Sequence, residues 1–261
     1  MEKTIQNANS KVPPSEGFRE AYILHLADSS LILSHRNSEW CGHGPVLEQD
    51  IAITNISLDL LGLARNYYQY AAELIGDTDE NKLAYLRTER EFKNLLLVEQ
   101  PNIDWAQTIL RQYLFSQFQF FLQEQLQHND DKKLAAIAEK SQKETRYHIR
   151  WSGEWVIRLG NGTEESHDRM INAINNLWGY TGEMFIPADY EKGTGVDLTL
   201  IKNQWEEKIN EVFSEATLST VDSTKKTFMH TGGKTGTHTE NLGFILTDLQ
   251  YLQRTYPGVE W

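Results

Sequence analysis

KSQKETRYHIRWSGEW, residues 140–155, carries the clearest periodicity in this chain and forms the middle of a helix predicted from about Asp131 to Leu159. At 100° per residue Leu134, Ile137, Ala138, Ser141, Thr145, His148, Ile149, Ser152, Trp155, Val156 and Leu159 share one face, while Lys143, Arg146, Arg150, Glu154 and Arg158 share the other. His148 therefore points into a core. Glu144, one turn earlier, lies at the edge of the same stripe and stacks a carboxylate on an imidazole. Such a pair is either half of a metal site or a polar pair held inside a core, and the two readings lead to different functions.

Upstream, Asp104 can cap a helix from Trp105 to about Gln127 whose polar positions are mostly amides: Gln107, Gln112, Gln117, Gln119 and Gln123. Downstream, LGNGT at 159–163 ends the 131–159 helix, with a glycine on each side of Asn161. Further helices are predicted over about 18–37, 45–75, 83–98, 166–185, 198–213 and 239–254. The breaks between them include CGHGP at 41–45, GDTDENK at 76–82 and EQPN at 99–102. In the 45–75 helix Leu47, Ile51, Leu58 and Leu61 lie on one side and Ile53, Ile56, Leu60, Leu63 and Tyr67 on the other. A helix apolar nearly all round needs cover nearly all round, from its own domain or from a partner subunit, and Tyr67, Tyr68 and Tyr70 are expected at that interface. With no repeat and no regular strand series, the fold class is all-α: a helical bundle built from two long hydrophobic helix pairs, with additional peripheral helices. Residues 1–17 are expected to be a flexible tail and residues 18–261 a single domain.

Composition narrows the function. The 261 residues hold 25 Lys and Arg against 37 Asp and Glu, a net charge of −12, which argues against an extended nucleic-acid surface. One cysteine, Cys41, excludes intrachain disulfides and multi-cysteine metal sites and fits a reducing cytoplasm. The first 17 residues lack an apolar signal core, and no run of 18 apolar residues occurs, so neither secretion by that route nor a membrane span is expected.

The candidate chemistry is incomplete at each place where it could arise. A ferritin-like di-iron bundle takes one Glu from each of two helices and a Glu-x-x-His pair from each of the other two. Here Tyr147 stands where the histidine three residues after Glu144 would be, Gly62 stands three residues after Asp59, and the 105–127 helix offers glutamines over its central turns. His25 and Asp28 are the remaining pair that could supplement Asp59, Glu144 and His148. GGKT at 232–235 looks like a phosphate loop, but residue 228, where that loop needs glycine, is Phe228; a glycine-rich turn ahead of a helix capped by Thr237 or Thr239 explains it. His43 and Cys41 share a glycine-rich turn with no identifiable orienting group.

WCGHGPVLEQDIAITNISLDLLGLARNYYQYAAEL (40–74), LLLVEQPN (95–102), TILRQY (108–113), KETRYHIRW (143–151), RLGNGT (158–163), GGKTGTHTENLG (232–243) and LQYLQRTYPGVEW (249–261) together resemble the C subunits of the bacterial phenylacetyl-CoA 1,2-epoxidase family. The resemblance spans residues 22–261. It implies a ferritin-like fold in a non-catalytic, structural subunit of a multicomponent monooxygenase of phenylacetate catabolism. The implied partners are a homologous catalytic A subunit, which holds the di-iron centre and most of the phenylacetyl-CoA, a small B subunit, and a reductase subunit using NADPH, FAD and an iron–sulfur centre. For this chain the resemblance implies no catalytic residue and no cofactor or metal of its own, leaving Asp59, Glu144 and His148 as vestiges. The motif match makes Glu91, Phe92, Lys93 and Asn94 the expected contact with the CoA portion, beside Arg87 and Arg90. Two other readings remain open from the residues: a metalloenzyme with a non-standard site from His25, Asp28, Asp59, Glu144 and His148, and a purely structural adaptor remote from substrate.

Overall fold

The periodicity at 140–155 is realised as α5, Lys132–Gly160, in a computed structural model that describes residues 16–219 and 228–259. Asp131 caps this helix, its carboxylate accepting from the backbone N–H groups of Lys133 and Leu134 at 3.1 Å each. The inward face is polar yet self-sufficient. Ser141, Thr145 and Ser152 donate their hydroxyls to the carbonyls one turn back, at 2.9, 3.1 and 2.6 Å, so burial leaves none of them without a bond.

Three more long helices complete a bundle: α1 (Glu16–Ser38), α2 (Leu47–Ile75) and, after a short α3 (Glu80–Tyr85), α4 (Trp105–Leu126). α1 packs against α2 and α4 against α5, and α2 meets α5 across the seam between the two pairs. The 76–104 segment crosses from one pair to the other, a connectivity used by ferritin-like bundles. Outside lie α6 (Glu164–Leu177) and α7 (Leu198–Glu215), both against α4 and α5, and α8 (Glu240–Thr255), against α3 and α1. No strand occurs among the described residues.

α4 is the most enclosed element. Ile109, Leu110, Tyr113 and Leu114 are fully buried, each apolar side chain contributing about 1.5–3 kcal/mol, and the Trp205 indole of α7 donates to the Leu114 carbonyl at 2.9 Å. Gln112 is bonded in the interior: Asn37 donates to it at 2.6 Å, and it donates to Ser116 at 2.8 Å. Asp104 caps α4 as expected, accepting from Gln107 N at 2.9 Å.

The structure corrects several boundaries. The helix expected over 83–98 stops at Tyr85; a single 3-10 turn, Glu89–Glu91, follows, and then irregular backbone over 92–95 and a turn over 96–99. Local spacing suggested a helix, but buried side chains claim the amides. Asp28 accepts from Lys93 N at 2.8 Å, Ser29 from Leu95 N at 3.2 Å and Glu183 from Leu96 N at 2.9 Å. The helix expected over 166–185 likewise ends at Leu177 and continues as two 3-10 turns. Gly160 ends α5 for a packing reason rather than for left-handed backbone, since a Cβ there would collide with the Ala216 carbonyl. The tail expected over 1–17 lies outside the described residues as far as residue 15, and α1 already includes residues 16 and 17.

Candidate functional site

His148 finds its partner on another helix. Its Nε2 lies 3.0 Å from Asp59 Oδ2 on α2, so the polar pair expected between Glu144 and His148 is instead an inter-helix bond. Nδ1 of the same ring has no partner among the described residues. Glu144, one turn away on α5, is half-buried and takes part in no hydrogen bond or ion pair with a described residue. Burial, and then the charge of Asp59, hold its carboxyl above the usual glutamate range. Nearer the start of α2, Gln49 accepts from the indoles of Trp151 and Trp155 at 3.0 and 2.8 Å, so α2 and α5 run in opposite senses along this seam.

His25 and Asp28, the other candidate ligands, are committed elsewhere. Asp28 is fully buried, ion-paired with Arg87, bonded by the Tyr68 hydroxyl at 2.6 Å and by Lys93 N. His25 Nδ1 lies 2.7 Å from the Lys93 carbonyl and donates to it. Inside the bundle His25, Ser29, Ser30, Tyr67, Gln119 and Gln123 line a void of about 20 Å³, the scale of one water molecule. Gln119 Oε1 and both side-chain amide atoms of Gln123 have no partner among the described residues. A di-iron site needs carboxylate donors, whereas this void offers amides, hydroxyls and the one imidazole of His25, whose Nδ1 is already bonded to Lys93, so its residues do not fit the di-iron group of ferritin-like bundles. Among the described residues no three His, Cys, Asp or Glu side chains converge as a metal-holding group.

Asp28 and His25 instead hold the 86–99 connection. Its Glu99 is fully buried and accepts from Asn94 Nδ2 at 2.9 Å and Thr239 N at 2.7 Å, with His238 Nδ1 at 3.0 Å. Burial opposes charge on His238, yet Glu99 and the Phe92 carbonyl raise its pKa above the ordinary histidine value. The GGKTG turn crosses the same connection so closely that a Cβ at Gly236 would collide with the Arg90 carbonyl. Lys234 is buried in an ion pair with Glu191 at 2.8 Å, which leaves its ammonium unable to serve a phosphate loop. Thr239 occupies the N-cap of α8 but makes no side-chain capping bond.

Of the four residues expected to meet CoA, Glu91 is exposed and Lys93 half-buried, its ammonium 5.6 Å from the centre of the Tyr190 ring. Phe92 and Asn94 are fully buried and form the frame beneath them. Arg87 is turned inward to Asp28, leaving Arg90 as the exposed cation beside the stretch.

The outer side of α2 is left uncovered by the described residues. Leu47, Ile51, Leu58 and Leu61 are 72, 52, 58 and 44% exposed and recur at helical spacing along one stripe, with Tyr147 of α5 also exposed. Tyr67, Tyr68 and Tyr70, expected at the interface, are buried within the chain, because they fall on the side of α2 that faces the bundle. Both the aliphatic stripe and the tyrosines were visible in the sequence; the helical phase separates them once α1 and α5 are in place.

No helix among the described residues is long and apolar enough to cross a membrane. A profile of the family described as phenylacetic acid catabolic protein matches residues 4–261. The C subunit of the 1,2-phenylacetyl-CoA epoxidase of Escherichia coli (strain K12) is 48% identical over 246 residues, covering 92% of this chain and 98% of that relative.

Proposed function

The chain belongs to the phenylacetic acid catabolic protein family, and from that premise we propose that it is a structural, metal-free subunit of a multicomponent phenylacetyl-CoA epoxidase. It docks on the di-iron catalytic subunit through the outer stripe of α2. The small B subunit and the reductase, with its NADPH, FAD and iron–sulfur chemistry, complete the complex. The observation that carries this reading is the pairing of a ferritin-like bundle with buried acids spent on structure, Asp28 on Arg87 and on backbone and Glu99 on backbone and His238, while the half-buried Asp59 meets His148. A bundle that keeps its shape while committing its carboxylates is suited to support a catalytic relative. Its lone, exposed Cys41 fits a reducing cytoplasm.

In this reading Lys93 and the exposed Arg90 meet the nucleotide end of the acyl-CoA, with Glu91, whose carboxylate accepts from Thr88, beside them and Phe92 and Asn94 holding the backbone beneath. Bond-making belongs to the catalytic subunit. Metal analysis of the isolated chain after iron-supplemented expression tests the reading. Iron far below one atom per chain is expected, and a stoichiometric two would restore the metalloenzyme alternative.

A further inference from the structure

We infer that the void inside the bundle between α1 and α4 binds one ordered water molecule, which ties the Gln119 and Gln123 amides to the two α1 residues that hold the backbone at 93–95. Its volume, about 20 Å³, suits a single water. His25 and Ser29 lie one turn apart on α1, Gln119 and Gln123 one turn apart on α4, and all four line the void together with Tyr67 of α2. All five side chains are buried.

Their hydrogen-bonding capacity is not used up. Gln119 Oε1 and both side-chain amide atoms of Gln123 have no partner among the described residues. Ser29 Oγ accepts from Leu95 N at 3.2 Å, which leaves its own hydrogen to give, and the Tyr67 hydroxyl takes part in no hydrogen bond with a described residue. The His25 Nδ1–H is spent on the Lys93 carbonyl at 2.7 Å, and burial lowers the pKa of the ring, so Nε2 is left as an acceptor. The walls thus hold donors and acceptors together, and a water, with two hydrogens and two lone pairs, can answer both. A metal cation would find no carboxylate among the lining residues. Carboxamides buried without partners oppose folding, whereas a bound water satisfies them. His25 and Ser29 hold the backbone of Lys93 and Leu95, so the same water steadies the stretch proposed to meet CoA; its binding does not depend on that contact.

A crystal structure of the full chain, at a resolution that shows ordered solvent, tests the site directly. One density peak within about 2.7–3.2 Å of both Gln119 Oε1 and the Gln123 amide, and of His25 Nε2 or the Ser29 hydroxyl, is expected. No peak overturns the inference, and so does a peak that thallium(I) replaces in soaked crystals, which would make the occupant a cation. Gln123→Met keeps the length of the side chain without its polar atoms. In that variant the peak is expected to disappear and backbone hydrogen exchange over 93–95 to quicken severalfold, while exchange in α7, which does not line the void, stays within about twofold of wild type. A retained peak, or unchanged exchange over 93–95, overturns the tie between the amides and the connection. A rise shared by α7 overturns it too, because Gln123 would then be a packing residue for the fold as a whole.

Discussion

His148 is buried between α5 and its neighbours, with Nε2 3.0 Å from Asp59 Oδ2 on α2. The 3.6-residue period of 140–155 places it in the core, which is where it lies. The period says nothing about other helices, so the bond to Asp59, 89 positions away in sequence, was not legible. Removing the imidazole leaves a half-buried carboxylate without its partner, and His148→Ala is expected to lower unfolding stability by about 1–3 kcal/mol in denaturant titration. A variant of unchanged stability whose assembled complex no longer oxygenates substrate would contradict the structural role. His238 gives a pH-dependent counterpart. Its folded pKa is raised, so its stabilisation is fully present below the unfolded value of about 6.5 and is lost as pH rises through the folded value. The gap in melting temperature between wild type and His238→Gln should therefore be widest in mild acid and narrow as the pH is raised; a gap that widens in alkali would show the sign to be wrong.

At the scale of elements, α1, α2, α4, α5, α7 and α8 were all legible, because each carries a long periodic run or a cap that local chemistry fixes. The 86–99 connection was not. Its apolar spacing resembles a helix, but Asp28, Ser29 and Glu183 bond its backbone N–H groups, and those residues come from distant positions. The connection is braced on its other side by the GGKTG turn. Gly236 has φ +83 and no room for a Cβ against Arg90, so Gly236→Ala is expected to destabilise the fold by roughly 1–3 kcal/mol and to loosen residues 89–94 in hydrogen exchange. Exchange rates unchanged over 89–94 would show that the turn does not brace the connection. Lys93→Glu addresses the element's proposed task. In the assembled epoxidase it is expected to raise the KM for phenylacetyl-CoA severalfold with kcat nearly unchanged, and an unaltered KM with assembly intact would remove this stretch from the substrate site.

For the whole molecule, the fold class followed from composition and period, while the use of the bundle depended on what the interior acids touch. The exposed stripe of Leu47, Ile51, Leu58 and Leu61 is the counterpart of that interior: α4 is enclosed, and α2 presents an apolar side that the described residues leave open. Stable heteromeric interfaces are built on such surfaces, with an apolar centre whose replacement by charge is poorly tolerated. The most direct measurement is sedimentation velocity of this chain mixed in equal amounts with the catalytic subunit. A single faster-sedimenting species with the wild-type chain, and two separate species with Leu58→Asp folded as wild type, is the predicted result. A wild-type chain that sediments independently of the catalytic subunit would contradict the account.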